Sequence, residues 1–200
     1  MARFSGPFSL QTVAKELSMS DSSASSASSN RERMLEQQTF DAWPQPLREL
    51  FDGTSLVAKM GFTTSLVTVD ASGSTRTSLL GPGELYAPDA QRLSIALWPQ
   101  SRAARVLAQR GRAALTFVFD EAFYQVQLRM APLAAVGVAG ATLAYFIGSI
   151  ETGEAQRVGY ARLTGGISFE LGADSAAMLA RWEQQIGDLK RAADAATRGG

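Results

Sequence analysis

The sequence predicts a mainly β protein, a small antiparallel barrel with α decoration, and three observations predict it. Short β-rich runs recur along the middle of the chain with turn residues between them. The run at 122–130 alternates cleanly: Tyr124, Val126, Leu128 and Met130 share one face, and Phe123, Gln125, Gln127 and Arg129 the other. Helical patterning is confined to three segments, too few for a layered α/β protein.

Taken in order, residues 31–51 carry Met34, Leu35, Phe40, Leu47 and Leu50 at helical spacing, interrupted by Trp43-Pro44-Gln45-Pro46, and are expected to be helical. Residues 64–70 form a strand running into the turn residues Ala71–Ser74, and 75–80 pair back onto it. A loop over 81–91 leads to a strand at 92–98. Ser101 is a good N-cap for a short helix to 110, with Ala103, Val106 and Leu107 inward and Arg102, Arg105 and Gln109 outward. Residues 112–119 are apolar almost throughout, as a buried strand would be. Strands at 142–150 and 166–171 bring the count to about seven. An amphipathic helix capped by Asp174 closes the chain, and Trp182 in it reads as packing.

Two hundred residues, 46% of them hydrophobic, suffice for one core, so 31–200 reads as a single domain. Residues 1–30 read as a flexible Ser-rich tail with nothing to bury, and Met19 is an alternative start. The uncharged stretch between Arg129 and Glu151 is long enough to cross a bilayer. Pro132, three glycines and the small side chains favour instead two buried strands joined at Gly137–Gly140. Nineteen basic residues balance nineteen acidic ones, so no global field attracts nucleic acid. The expectation is a cytoplasmic protein with neither a nucleic-acid nor a membrane partner.

The composition also excludes chemistry. Without cysteine there is no thiolate nucleophile, disulfide or Cys-ligated metal. Without histidine, Ser-His-Asp hydrolysis and a proximal haem histidine are gone too. No metal site is expected. Catalysis must use Arg, Lys, Tyr, Asp or Glu, or fall to a cofactor.

One local anomaly points to a ligand. Arg102 and Arg105 sit in the first turn of their helix, where the backbone dipole disfavours cations by a few tenths of a kcal/mol. An anion bound at that turn removes the anomaly, because the guanidinium groups then become its clamps. The alternative is a solvated helix face, where so small a penalty needs no explanation. Arg76 and Ser78 share one face of the preceding hairpin strand, a second cationic and hydroxyl pair able to reach the same anion. Gly81–Tyr86 imitates the start of a dinucleotide fingerprint but lacks the third glycine.

Over roughly residues 50–172 the chain resembles the pyridoxamine-5′-phosphate-oxidase-like family of FMN-binding split barrels. "RTSLL" at 76–80 is similar to that family's R-x-V-L-L strand. "LWPQSRAARVLAQRGRAALTFVF" is similar to its strand, S-R-K-A helix and following strand, and "YQVQLRM" to its R-Q-V strand. The resemblance implies a split barrel of six to seven antiparallel strands with flanking helices, binding FMN between the subunits of a homodimer. It implies that Arg76, Thr77, Ser78 and Leu79 hold the phosphate, ribityl chain and ring edge, with Ala96 and Leu97 giving backbone contacts. Arg102 would bind the phosphate and Gln125 the isoalloxazine; Arg105, one turn along, would replace the lysine charge, and the turn that Ser101 caps would face the same phosphate. Ala103 stands where the oxidases have lysine, Gly81 where their strand ends in lysine, and the oxidases' C-terminal W…R-x-R-L-x-P segment is missing. The expectation is therefore an FMN-binding protein, a flavin-dependent oxidoreductase of unknown substrate rather than a pyridoxine phosphate oxidase. A non-catalytic flavin carrier and a barrel that has lost its cofactor are the alternatives. A deazaflavin remains open as the cofactor, and the missing histidine disfavours haem.

Overall fold

The computed structural model describes residues 35–134 and 143–199. The Ser-rich tail and the turn expected at Gly137–Gly140 lie outside the described residues.

The chain runs β1 (Leu35–Phe40), α1 (Gln45–Leu50), β2 (Thr64–Val69), β3 (Thr75–Leu80), a 3₁₀ turn (Pro82–Glu84), β4 (Leu85–Tyr86) and β5 (Arg92–Leu97). It continues through α2 (Arg102–Arg110), β6 (Arg112–Phe119), β7 (Ala122–Leu133), β8 (Ala144–Val158) and α3 (Ser175–Gly199). All strand pairs are antiparallel, in the order β3-β2-β6-β7-β8-β5-β4. The 15-residue β8 is the spine. One edge pairs with β7 along nearly its whole length, while the other takes β5 at 144–149 and β1 at 153–158. The result is the expected curled antiparallel sheet, mainly β with helical decoration.

The alternation along β6 and β7 becomes one buried and one half-exposed face. Leu115, Phe117, Tyr124, Val126 and Leu128 point inward with Leu66, Leu93 and Ile95. Inside, the Phe117 and Tyr124 rings stack at 5.0 Å between centroids, and Phe51 meets Phe117 edge-on. α2 lies under this inner face, burying Ala103, Ala104, Val106 and Leu107. The Leu107 side chain is fully buried, worth roughly 2 kcal/mol of removed apolar surface. α3 packs a second, smaller core through Trp182, Ile186, Leu189 and Ala192. Trp182 is therefore packing, as expected, edge-on to Phe169.

Two elements differ from expectation. Residues 35–40 form a strand rather than a helix, because β8 outruns β5 and leaves an edge that β1 fills from Leu35–Val158 to Phe40–Gly153. A glycine is needed at 153, since a Cβ there would lie 2.2 Å from the Phe40 ring. Residues 166–171 are not a strand, because no ladder offers them partners. They run as irregular chain with a bend at Ile167, past Val118 and Gly61 towards Trp182, with Phe169 as the anchor.

Candidate functional site

The site is built where the β2–β3 turn meets α2. Asp70 opens this turn and accepts hydrogen bonds from the Ser72 and Ser74 N–H groups at 2.9 and 3.1 Å. That fold-back fixes β3, and the register sets Arg76 opposite Thr68 and Ser78 opposite Leu66. Thr68 and Leu66 are inward residues, so Arg76 and Ser78 share the inner face, as the two-residue period predicts. Across the gap, Ser101 caps α2: its hydroxyl accepts the Ala104 N–H at 3.1 Å and its carbonyl the Arg105 N–H at 3.3 Å. The remaining first-turn N–H groups keep the positive end of the helix dipole available.

Arg76, Arg102 and Arg105 converge on one open cleft of about 410 Å³, completed by Ser72, Val106 and Gln109. Arg76 is held from the side by Asp70, with 3.4 Å from its Nε to Oδ2. Among the described residues neither Arg102 nor Arg105 has a carboxylate partner. The Ser72 hydroxyl keeps the Asp70 carboxyl below its ordinary range; slight desolvation opposes this, and the turn N–H groups and Arg76 reinforce it. Three guanidinium groups against one carboxylate leave the cleft cationic. The donor set fits a phosphate: two free planar forks, a third held in place, and a helix N-terminus beside them.

The other expected residues divide between two places. Ala96 and Leu97 are buried on β5, opposite Tyr145 and Ala144 of β8, while β4 covers only Ser94 and Ile95 on the other edge. Thr77 and Leu79 point to the outer face of the sheet, opposite Val67 and Ser65. The outer row continues from Ser65 to Thr116 and from Thr116 to Gln125, which faces Glu154 on β8. Gln125 is thus on the same face as Leu79, three strand spacings or roughly 14 Å away. It is not part of the arginine cleft. β3 is an edge strand, so the cleft and the outer face meet around its free side.

Three features escaped the sequence. Asp70 read only as turn punctuation, although an acid two residues before Ser72 and six before Arg76 suits a turn that also steers an arginine. Gln109 reads as outward with Arg102 and Arg105 but not as part of the site; it lies one turn beyond Arg105, and that spacing could have put it in the cleft. A second cleft of about 380 Å³ adjoins the first, floored by Val67, Val69 and Ala114 and rimmed by Arg110, Arg112 and Gln127. Arg112 and Arg129 face each other across β6 and β7, a like-charge pair bridged by Glu151, which lies 3.4 Å from Arg112 and also pairs with Arg129.

No family model matches the chain. Over 145 residues it is 30% identical to YclD, an uncharacterised protein of Bacillus subtilis, covering 72% of this chain and 94% of YclD. This chain belongs to the YclD family. Among solved structures it is similar to a proposed pyridoxamine 5′-phosphate oxidase from Lactobacillus delbrueckii (TM-score 0.46, 15% identity, 59% of this chain and 98% of that one). An FMN-binding protein from Syntrophomonas wolfei follows (TM-score 0.39, 15% identity, 53% and 85%). So does HutZ, a haem storage protein from Vibrio cholerae (TM-score 0.42, 13% identity, 57% and 95%). The names of these structural neighbours state different ligands. No helix among the described residues is long and apolar enough to cross a membrane.

Proposed function

We propose that this protein binds FMN, with the phosphate in the arginine cleft, and works as a homodimeric flavin-dependent oxidoreductase. The observation that carries the reading is the convergence of Arg76, Arg102 and Arg105 on one cleft. Three residues from two separate elements, each singled out by its sequence context, meet there. The resemblance of "RTSLL", "SRAAR" and "YQVQL" to the flavin split barrels supplies the identity of the anion.

In this reading Arg102 and Arg105 grip the phosphate oxygens with the N-terminus of α2 behind them. Arg76 closes the cleft from the hairpin. Ser78 shares the face of Arg76, and Thr77, Leu79 and Gln125 serve the part of the ligand that lies on the outer sheet face, where a second subunit would cover it. Bound flavin supplies hydride and electron transfer; the chain's own groups supply position and charge. A deazaflavin, which carries its phosphate on a comparable side chain, fits the same cleft.

The test is the visible spectrum of the purified protein after incubation with excess FMN and desalting. A flavin spectrum should be retained, and Arg76→Ala/Arg102→Ala should lose it. Removing two charge-assisted contacts of about 1.5 kcal/mol each weakens binding on the order of a hundredfold. A protein that retains no flavin, or a double variant that binds as tightly as the parent, overturns the reading. Retained flavin without oxidation of a reduced nicotinamide in the presence of an acceptor would make it a carrier.

A further inference from the structure

The arginine cleft contains one acid. Asp70 lines it beside Arg76, Arg102 and Arg105, and it also lines the neighbouring cleft, so it stands where the two join. A carboxylate in an anion site repels the anion, and its presence there asks for a reason.

Its two oxygens do different work. Oδ1 takes the Ser72 and Ser74 N–H groups and the Ser72 hydroxyl, which closes the turn. Among the described residues Oδ2 meets only the Arg76 Nε, at 3.4 Å, a single long contact to an oxygen that can accept more. The Asp70 side chain keeps 25% of its surface exposed, so a ligand can reach it. The turn needs Oδ1 alone; Oδ2 holds Arg76 by one long contact and keeps accepting capacity beside it.

We propose that this cleft recognises a phosphorylated polyol: the arginines take the phosphate, and Asp70 Oδ2 accepts a hydrogen bond from a hydroxyl on the carbon chain beside it. Asp70 is then a specificity-determining residue. A bare anion meets the repulsion of the carboxylate and gains nothing from it, whereas a polyol phosphate offsets that repulsion with a charge-assisted hydrogen bond. The proposal rests on reading the arginine cleft as an anion site, and it deepens the flavin reading, because the phosphate of FMN ends a ribityl chain. An aspartate is already ionised at neutral pH, and the Ser72 hydroxyl lowers this carboxyl further, so Oδ2 is an acceptor there.

Asp70→Asn separates the two jobs. The amide oxygen can replace Oδ1 in the turn, while the NH₂ group that replaces Oδ2 cannot accept a hydroxyl. The experiment is calorimetric titration of the full chain and its Asp70→Asn variant with ribitol 5-phosphate, pentyl phosphate, pyrophosphate and FMN. The parent should bind ribitol 5-phosphate about tenfold more tightly than pentyl phosphate. In the variant that preference should vanish, and pyrophosphate should bind about threefold more tightly for want of the carboxylate. The pentyl comparison in the parent keeps the test sound should the variant fold poorly. An absent preference in the parent, or an unchanged preference in a folded variant, overturns the proposal. FMN separates the two readings. A hydroxyl preference without FMN binding sinks the flavin reading and leaves this one standing. FMN binding with a preference indifferent to Asp70 does the reverse, and no binding of any phosphate sinks both.

Discussion

Gly111 ends α2 in the left-handed region, with φ of 62°, and its N–H donates to the Leu107 carbonyl at 2.9 Å. A Cβ there would stand 2.8 Å from the Met130 carbonyl oxygen, so the position demands glycine twice, for its backbone and for its space. Gly73 in the β2–β3 turn has φ of 82° but nothing within 4 Å of a Cβ, so it demands glycine for its backbone alone. Gly73→Ala should therefore cost about 1 kcal/mol and Gly111→Ala at least about 2 kcal/mol, read as shifts in urea midpoint at constant slope. Equal costs would mean that the Met130 strand yields without strain. At this scale the sequence was most legible where one residue has one job. Ser101 caps α2 as its type predicts, and Arg102 and Arg105 point outward as the apolar spacing of Ala103, Val106 and Leu107 requires. Asp70 was less legible, because a turn former explains itself locally and nothing in its neighbours marks the second oxygen as facing Arg76 and the cleft.

Legibility at the level of the element depends on whether a segment carries its own reason for its shape. β2, β3, β6 and β7 alternate or stay apolar by themselves, and each lies where the pattern sets it. β1 has no such pattern; its spacing of Met34, Leu35 and Phe40 imitates a helix, and only the uncovered edge of β8 makes it a strand. Residues 166–171 fail the other way, with strand-like composition but no ladder partner. The contact of α3 with the 3₁₀ turn at Pro82–Glu84 is likewise invisible in sequence. There Gly83 lies against Trp182, where a Cβ would come within 2.2 Å of the indole, and Glu84 accepts the Gly81 N–H at 2.8 Å. Burial raises the Glu84 carboxyl above its ordinary value, against the pull of that N–H and of Arg181. A raised pKa means that the folded state prefers the protonated acid. Its contribution to stability is full below the unfolded pKa of about 4.3 and is lost as pH rises through the folded value. Glu84→Gln keeps the acceptor and removes the charge, so its stability relative to the parent should rise between pH 4 and pH 7. Asp52 and Asp89 are held low despite partial burial, by hydrogen bonds from Lys59 and from the Gln91 N–H. They act equally in both proteins and cancel in the difference. Denaturant titrations across that range would show it, and a difference independent of pH would mean that the carboxylate is fully solvated or compensated.

For the whole molecule, the fold was legible because a long alternating strand with apolar runs on both sides leaves few arrangements besides a curled antiparallel sheet. The division of the candidate site between two faces was not legible, because strand register decides it. Arg76 and Ser78 fall with the inward residues Thr68 and Leu66, while Thr77 and Leu79 fall with Val67 and Ser65 on the outside. The proposed homodimer would associate through that outer face. Val69 and Leu79 are 49% and 54% exposed on it, beside Ser65, Thr116 and Gln125, small or polar side chains that permit close approach. α3 covers the outer face only around Ala96, Leu133 and Tyr145, which leaves these two sizeable aliphatic groups in water, and a second copy of the same face would bury them together. The chain should therefore sediment at twice its 21.3 kDa, and Val69→Asp/Leu79→Asp should return it to the single mass with unchanged circular dichroism. Because Leu79 shares its face with Gln125, the same substitution should also release bound flavin, although neither residue touches the arginine cleft. A parent that sediments as a monomer yet retains flavin fully would place the whole ligand within one subunit and remove the outer face from the site.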